Sequence, residues 1–543
     1  MKPSGESGRI ERVGRVLCAV DFAMSNCAAV EVAGGYVLID TGPGIACAER
    51  IRAAFDNHLS GELLAIIYTH SHPDHVLGTS IWWKPGIPIW ATERFHEEIR
   101  QQRRLGPAFL DRGARQFGLR LPDGAVNTTG IGPRLTLDPG PIAPLIPPTH
   151  TFDVKQDLAI GGVRFELHAA PGETHDHLFV WLPEERTLLA GDNIYKAFPN
   201  LSTIRGSSPR PVEEWMHSLD RMRYLAPAAE NLVLGHTEPV RGAEAVRELL
   251  TAYRDAIAFV HDSVVQHANR GLTPDELVRT IRLPEHLAKH PYLAERYGTL
   301  AGSIRGIYSG YLGWFDGNSS NLDPHSPADV SSRLVPRLGG TAAVHRLMKD
   351  ALAANDPRWA AWLGDLLLAA DPCDEAARRL KAQALAALAH TTENPLFKHW
   401  YLHDAALLRS ELEPATRVPM DIRSVEHIPI EHLLGQLPYR INAKRAARVT
   451  MTMRYVFPDT GKEFTFFLRR GVGELVPYAA GTPDLIARMD EMDFKRAFVA
   501  RTVSPMSAEF WRKIRFEAPG GRLLSPFRVL RRMITIDRCI IRN

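Results

Sequence analysis

The stretch Leu63-Leu64-Ala65-Ile66-Ile67-Tyr68-Thr69-His70-Ser71-His72-Pro73-Asp74-His75 joins an apolar run to three imidazoles and a carboxylate. An apolar run of this length reads as a buried strand, so the polar cluster falls at its carboxyl end, where the backbone turns outward. Neutral imidazole and carboxylate suit borderline divalent ions such as zinc. Ligands this closely spaced cannot all reach one ion from a tight turn, so the cluster predicts a two-metal site. The competing reading is a polar loop with incidental histidines, and the rest of the chain decides between them.

Further ligand-type residues stand at other strand exits. Ala169-Ala170-Pro171-Gly172-Glu173 follows the strand-like Val163 to Leu167. Leu188-Leu189-Ala190-Gly191-Asp192-Asn193 ends an apolar run in a carboxylate, and Leu232-Val233-Leu234-Gly235-His236 ends another in an imidazole. A strand commonly ends at a polar residue, so each is weak alone. Jointly with the histidine cluster they are strong, because an α/β fold carries function at such exits.

With 543 residues the chain is long enough for about three domains. Its 45% hydrophobic and 23% charged residues are ordinary for a globular protein. A net charge of +3 is too small to point to nucleic acid or an acidic partner. Cys18, Cys27, Cys47, Cys373 and Cys539 are odd in number and show no CxxC spacing, so neither a thiolate metal site nor a disulfide framework is expected. Met1 to Val16 lack an apolar signal core, and no run reaches the length of a membrane span. These features predict a reduced, soluble, cytoplasmic protein.

Strands are expected at Val16 to Val20, Ala28 to Val32 and Tyr36 to Asp40, with Asp40-Thr41-Gly42 as turn chemistry. Pro122 to Pro148 is rich in Pro and Gly and reads as a long surface excursion covering the site. From Val240 the texture turns helical, with Tyr253, Ile257, Val260 and Val264 on one face. Thr273-Pro274-Asp275-Glu276 is a strong helix start, and Asp356-Pro357 and Asp371-Pro372 repeat it before Arg358 to Ala370 and Asp374 to Ala389. Alternation returns after Glu413, as in Val449 to Met453 and Phe464 to Phe466, joined by the hairpin turn Asp459-Thr460-Gly461. Domain boundaries are therefore expected near residues 248 and 413.

The motif set Thr-His-x-His-x-Asp-His, a ligand just after Pro-Gly, then Gly-Asp, then Gly-His resembles the metallo-β-lactamase superfamily. That resemblance implies one ion at His70, His72 and residue 173, another at Asp74, His75 and His236, and Asp192 bridging. Most relatives carry His where this chain has Glu173; a carboxylate there resembles the alkylsulfatase branch, as does the spacing from Glu173 to Asp192. The branch normally bridges with Glu, and this chain keeps Asp192. His175 and His177 stand as alternatives to Glu173. The resemblance continues through Asn193, Asn200-Leu201 and Thr203-Ile204-Arg205-Gly206. It is closest at Tyr311-Leu312-Gly313-Trp314-Phe315-Asp316-Gly317-Asn318, with Asn321-Leu322 and Pro324, which is similar to the branch's dimerisation domain.

What the resemblance implies is an αββα metallo-β-lactamase sandwich over 1–248, a helical dimerisation domain over 249–412, and a small α+β sterol-carrier-like domain over 413–543. It implies a homodimer acting on a small amphiphilic sulfate ester, with two Zn2+, or manganese or iron, activating a bridging hydroxide. A sulfate ester wants a guanidinium, for which Arg205 is the candidate, with Asn193 and Asn200 as neutral donors. His177, or His175, is the candidate acid for the leaving group. Asp74, Arg205, Asn193, Asn200 and His177 thus form the expected catalytic set. Trp82, Trp83, Trp90 and Phe198 read as either core or an alkyl groove. Arg528, Arg531, Arg532, Arg538 and Arg542 read as a solvated strand face. The rival readings are a hydrolase of lactones, thioesters or phosphoesters, and a lipid-binding carrier with a vestigial metal site.

Overall fold

A computed structural model describes residues 8–136, 138, 143–413, 425–504 and 507–517. The basic tail from Phe527 and Cys539 lie outside the described residues.

The expected strands form, preceded by one that the reading omitted. β1 (Arg9–Val13), β2 (Val16–Val20), β3 (Cys27–Val32) and β4 (Gly35–Ile39) make an antiparallel meander. β5 (Glu62–Ile67), β6 (Ile89–Thr92) and β7 (His150–Phe152) continue it in parallel, giving one seven-stranded sheet. The second sheet runs β13 (Val240–Arg241), β12 (Asn231–Val233), β11 (Thr187–Leu189), β10 (Leu178–Leu182), β9 (Val163–Ala169), β8 (Lys155–Ile160). Val16, Val30, Ile39 and Ile67 of the first meet Phe165, Leu167, Val180 and Val233 of the second in one buried layer. Aliphatics that point alternately from each strand can close such a layer without leaving backbone groups unpaired.

The outer face of the second sheet is apolar too, as Phe179, Trp181, Leu188 and Leu232 show, and is covered by helices. Helix Val212–Leu225 contributes Trp215, Leu219 and Met222, and helix Ala243–Ala268 contributes Leu250, Tyr253, Ile257 and Val260. The latter helix runs unbroken through residue 248. Trp215 is fully buried, and its Nε1 donates to the Asn193 carbonyl at 3.1 Å. On the first sheet's outer side, helix Ile45–Phe55 buries Ala48, Ile51 and Phe55. The layers are therefore helix, sheet, sheet, helix. Every ligand-type strand exit opens on one edge, because β9, β11 and β12 all run in one direction.

Thr273 caps helix Pro274–Thr280 as its sequence predicts, and the cap is reciprocal, with Glu276 bonding back to Thr273. Asp356 likewise caps Pro357–Ala370. The next start is displaced: Asp374, not Asp371, caps Glu375–Thr391 by accepting from the Ala377 amide. Asp371 instead holds a turn by accepting from the Cys373 amide at 2.9 Å. Helices Thr341–Ala353, Pro357–Ala370, Glu375–Thr391 and Pro395–Leu408 then stack through Ala360, Ala382, Leu385 and Ala405.

The Pro- and Gly-rich excursion is more anchored than its composition predicts. Ile131 is buried with Met24, Tyr195 and Tyr297, and Gly132 lies against the Met24 carbonyl. Cys18, Cys27 and Cys47 are buried and Cys373 exposed, all as free thiols. Among the described residues no helix is long and apolar enough to cross a membrane.

A second compact unit holds a five-stranded sheet in the order β16 (Val472–Val476), β15 (Lys462–Arg469), β14 (Thr450–Phe457), β17 (Leu485–Arg488), β18 (Arg515–Glu517). β14 and β15 pair up to Phe457 and Lys462 across the predicted turn. Met453, Tyr455, Phe464 and Phe466 face a core with Phe494 and Phe510, which buries one side of the sheet.

Candidate metal centre

Two ligand groups meet at the open edge of the sandwich. In one, His70, His72, Glu173 and Asp192 each offer an atom, all within 4.8 Å of one another; in the other, Asp74, His75 and His236 do the same. Asp192 belongs to the first and touches the second, its Oδ2 lying 3.2 Å from His75 Nε2 and 3.0 Å from His236 Nε2. All but Asp74 are buried.

The imidazoles are aimed by bonds on their far sides. His75 Nδ1 donates to Asp40 Oδ2 at 2.8 Å, and His236 Nδ1 donates to the Met24 carbonyl at 2.6 Å. Thr69 Oγ1 donates to Asp40 Oδ2 at 2.8 Å and so accepts from His70 Nδ1 at 3.0 Å. In each ring Nε2 then points toward the centre, as in metal-ligating histidines. Asp40 thus orients two rings, from a left-handed backbone with φ of 58° that a non-glycine residue adopts only under strain.

Glycines give the bridging carboxylate its room. A Cβ on Gly235 would stand 2.1 Å from Asp192 Oδ1, and one on Gly191, at φ 53°, would stand 2.7 Å from His177. The Gly-Asp and Gly-His pairs are therefore steric requirements of the site.

Electrostatics divide the groups. Burial pushes the His70 and His72 imidazoles well below their ordinary range, keeping them neutral. Burial would lower His75 and His236 as well, but nearby Asp192 outweighs it and raises both. Asp192 is held well below the carboxylate range: burial opposes this, and His236, His75 and His70 overcome it. Glu173 goes up to about 7, since burial exceeds the attraction of Arg210. Asp74 Oδ2, Glu173 Oε2 and Asp192 Oδ1 are buried without a hydrogen-bond partner. Unpartnered carboxylate oxygens facing imidazole lone pairs are the donor set of a divalent cation, so the residues fit two ions.

The expected catalytic residues fare differently. Arg205 is at the centre, its Nη2 lying 3.0 Å from His72 Nε2. Asn193 is not a spare donor: its Nδ2 is bound to the Ala170 carbonyl at 2.8 Å, and its Oδ1 accepts from the Glu173 amide at 3.1 Å. It shapes the loop that presents Glu173. His177 does not suit an acid's role, because its Nε2 accepts from the Asp192 amide at 2.9 Å and burial pushes it down to about 3. Neither it nor His175 joins the ligand groups; His175 Nδ1 turns to Glu98 at 2.9 Å. Asn200 keeps a buried, unpartnered Nδ2. The aromatics pack elsewhere: Trp82 against Phe55, Trp83 onto the Ile87 carbonyl, Trp90 on His150, and Phe198 in the core.

Sequence reading missed two residues. Arg210, fully enclosed, donates from Nη1 to Glu173 Oε1 at 2.7 Å. It sits between prolines in an irregular loop and gave no signal. Asp40 ends an apolar strand, the same signal that found Asp192, but reads as turn chemistry.

A sequence profile described as the metallo-beta-lactamase superfamily matches residues 20–236, and one described as alkyl sulfatase dimerisation matches residues 273–411. The chain is 34% identical over 466 residues to a linear primary-alkylsulfatase of Pseudomonas sp., covering 82% of this chain and 87% of that one. It is 31% identical over 481 residues to an (R)-specific secondary-alkylsulfatase of Pseudomonas sp., covering 85% and 72%. The solved structure of the stereoselective inverting sec-alkylsulfatase Pisa1 from Pseudomonas sp. superposes with a TM-score of 0.90 at 25% identity, over 99% of this chain and 85% of that one.

Proposed function

The chain belongs to the alkylsulfatases of the metallo-beta-lactamase superfamily, and on that premise we propose that it hydrolyses alkyl sulfate esters to sulfate and an alcohol at the centre described above. The observation that carries this reading is the pair of ligand groups sharing Asp192 beside a buried guanidinium. On this reading His70, His72 and Glu173 would hold one ion and Asp74, His75 and His236 the other, with Asp192 within reach of both groups. Zinc is the ion we assign, on the imidazole-rich donor set. When bound, two such ions lower the pKa of a shared water and neutralise charge on an anionic ester.

The protein's own groups do the rest. Asp40, Thr69 and Met24 hold Nδ1 of His75, His70 and His236 and so direct each Nε2 inward, where a bound ion would displace the proton that Asp192 favours on His75 and His236. Arg210 favours the charged form of Glu173, and His177 fixes the backbone of Asp192. His72 links the centre to substrate. Its Nδ1 lies 2.9 Å from His70 Nε2, so Nδ1 is the atom it offers, which leaves the proton on Nε2. Nε2–H then faces the Arg205 donor, and an acceptor placed between them resolves the clash. A sulfate oxygen meets that need, with Asn200 Nδ2 as a further donor.

The domains follow as 1–248 for hydrolysis, 249–412 for dimerisation and 413–543 as a sterol-carrier-like unit, in a homodimer. Four free thiols among the described residues suit a reducing compartment, and we place the protein in the cytoplasm. Sulfate release from a panel of primary and secondary alkyl sulfates, with and without chelator, tests the activity. Release that stops on chelation and returns with zinc is expected; none at any chain length would sink it. Alkyl phosphates and lactones in the same panel test the rival hydrolases, and metal analysis tests zinc.

A further inference from the structure

The loop joining β2 to β3 is buried from Ala23 to Asn26, although it carries the polar Ser25 and Asn26. Loops usually run over the surface, because buried backbone groups need partners. Here the partners are the segments that present the second ligand group. The Met24 carbonyl accepts from His236 Nδ1, and Ser25 Oγ donates to the Asp74 carbonyl at 2.5 Å. The Asn26 main-chain amide donates to the Gly235 carbonyl at 2.7 Å. Its side chain reaches to either side of that bond: Nδ2 donates to the Leu234 carbonyl at 3.0 Å and to the Thr237 carbonyl at 2.6 Å. One residue thus grips three carbonyls around His236.

The turn it grips does not hold itself. Thr237 has a φ of 66°, in the left-handed region that a β-branched residue adopts only under strain. Such strain persists where neighbouring groups over-determine the backbone, and Asn26 Nδ2 supplies that constraint on the Thr237 carbonyl. The loop is itself anchored from outside, since Arg50 Nη2 of helix Ile45–Phe55 donates to the Phe22 carbonyl at 3.1 Å. The first ligand group is held by other means: His70 by Thr69, and Glu173 by Arg210 and Asn193. Among the described residues, no hydrogen bond links this loop to His70, His72 or Glu173.

We infer that Asn26 is a positioning residue for the second ion alone: by clamping the turn on both sides of His236 it sets the Asp74, His75 and His236 group, and it leaves the His70, His72 and Glu173 group untouched. Ser25 assists from the Asp74 side. This rests on the reading of the centre as a two-ion site. Asn26 touches no ion itself, so its effect runs through the backbone that carries His236.

Zinc titration of the metal-free full chain against a chromophoric chelator tests the assignment. Wild type is expected to take up two equivalents. Asn26→Asp keeps the side chain's shape and replaces both Nδ2 donors with an acceptor oxygen. Its added negative charge would by itself tighten cation binding, so weaker binding reports the lost donors. Asn26→Asp and Asn26→Ala are expected to weaken one equivalent about 10–100-fold and leave the other unchanged. With a single equivalent of Co2+, the visible absorption spectrum of both variants is expected to match that of His236→Ala and to differ from that of His72→Ala. Equal weakening of both equivalents, or of neither, overturns the inference, as does a one-cobalt spectrum matching His72→Ala. Loss of the fold in both variants at saturating zinc would make Asn26 a general structural residue and overturns it too. Fewer than two equivalents in wild type would instead count against the two-ion reading.

Discussion

On the proposed reading, Arg205 is the residue on which substrate choice turns. A planar guanidinium can give two parallel bonds to a sulfate, which an ammonium cannot. Arg205→Ala is expected to lower kcat/KM by about 10²–10³, with Arg205→Lys between it and wild type. Steady-state kinetics together with inhibition by free sulfate check this; an unchanged KM for sulfate esters would put the clamp elsewhere. Arg210→Met removes the partner of a buried carboxylate, and about 10–100-fold weaker metal binding is expected by titration. The contrast between these two arginines shows what the sequence could disclose. His70 to His75, Asp192 and His236 were legible because each ends an apolar strand, and strand ends are fixed by local pattern. Arg210 acts through Glu173, distant in sequence, so no local pattern marks its role; Asp40 ends an apolar strand as Asp192 does, but its turn chemistry hides the bond to the distant His75. Asp176 is a third such case. Only 1% exposed, it has neither oxygen in a hydrogen bond, and the hydroxyls of Thr174 and Ser71 lie close enough only to ease its charge. Burial pushes its pKa from 3.8 up to about 7. The folded chain therefore holds a proton that the unfolded chain has released, and stability from this group is lost as pH rises toward 7. At full ionisation the cost is roughly 4 kcal/mol. Asp176→Asn should raise Tm more at pH 8 than at pH 5, and an equal shift at both would show the carboxylate to be already charged.

Elements were read well where period and caps agreed. Strands β2 to β5 and the Thr273 and Asp356 helix starts follow directly from alternation and from hydroxyl or carboxylate caps. β1 was not legible, since Arg9, Glu11 and Arg12 give it a charged face and only pairing with β2 makes it a strand. At Asp371-Pro372 the Asp-Pro signal was misleading because Asp374, three residues on, also accepts from His345 Nε2, at 2.8 Å. A tertiary partner selected between two equally good caps. Asp374→Ala should therefore cost about 1–2 kcal/mol and Asp371→Ala much less. Thermal melts of the two variants decide it, and equal losses would return the cap to the position the sequence suggested.

At the scale of the molecule, the proposed ligands would tie one sheet to the other. His70, His72, Asp74 and His75 leave β5 of the first sheet, while Glu173, Asp192 and His236 follow β9, β11 and β12 of the second. The buried apolar layer holds the sheets together at their middle, but at the open edge buried carboxylates and imidazoles face one another. Without ions that edge carries unpartnered carboxylate oxygens on Asp192, Glu173 and Asp74, which favours local opening. Ions at 100 times their Kd would stabilise the closed edge by about 2.7 kcal/mol. Hydrogen exchange with and without chelator can locate that stabilisation. Amides around Thr69, His75, Asp192 and His236 should lose protection on chelation and regain it with zinc. The sheet from β14 to β18 contributes no ligand and should be unchanged. Were protection lost equally in both units, or in neither, the centre would not be a metal tie between the two sheets.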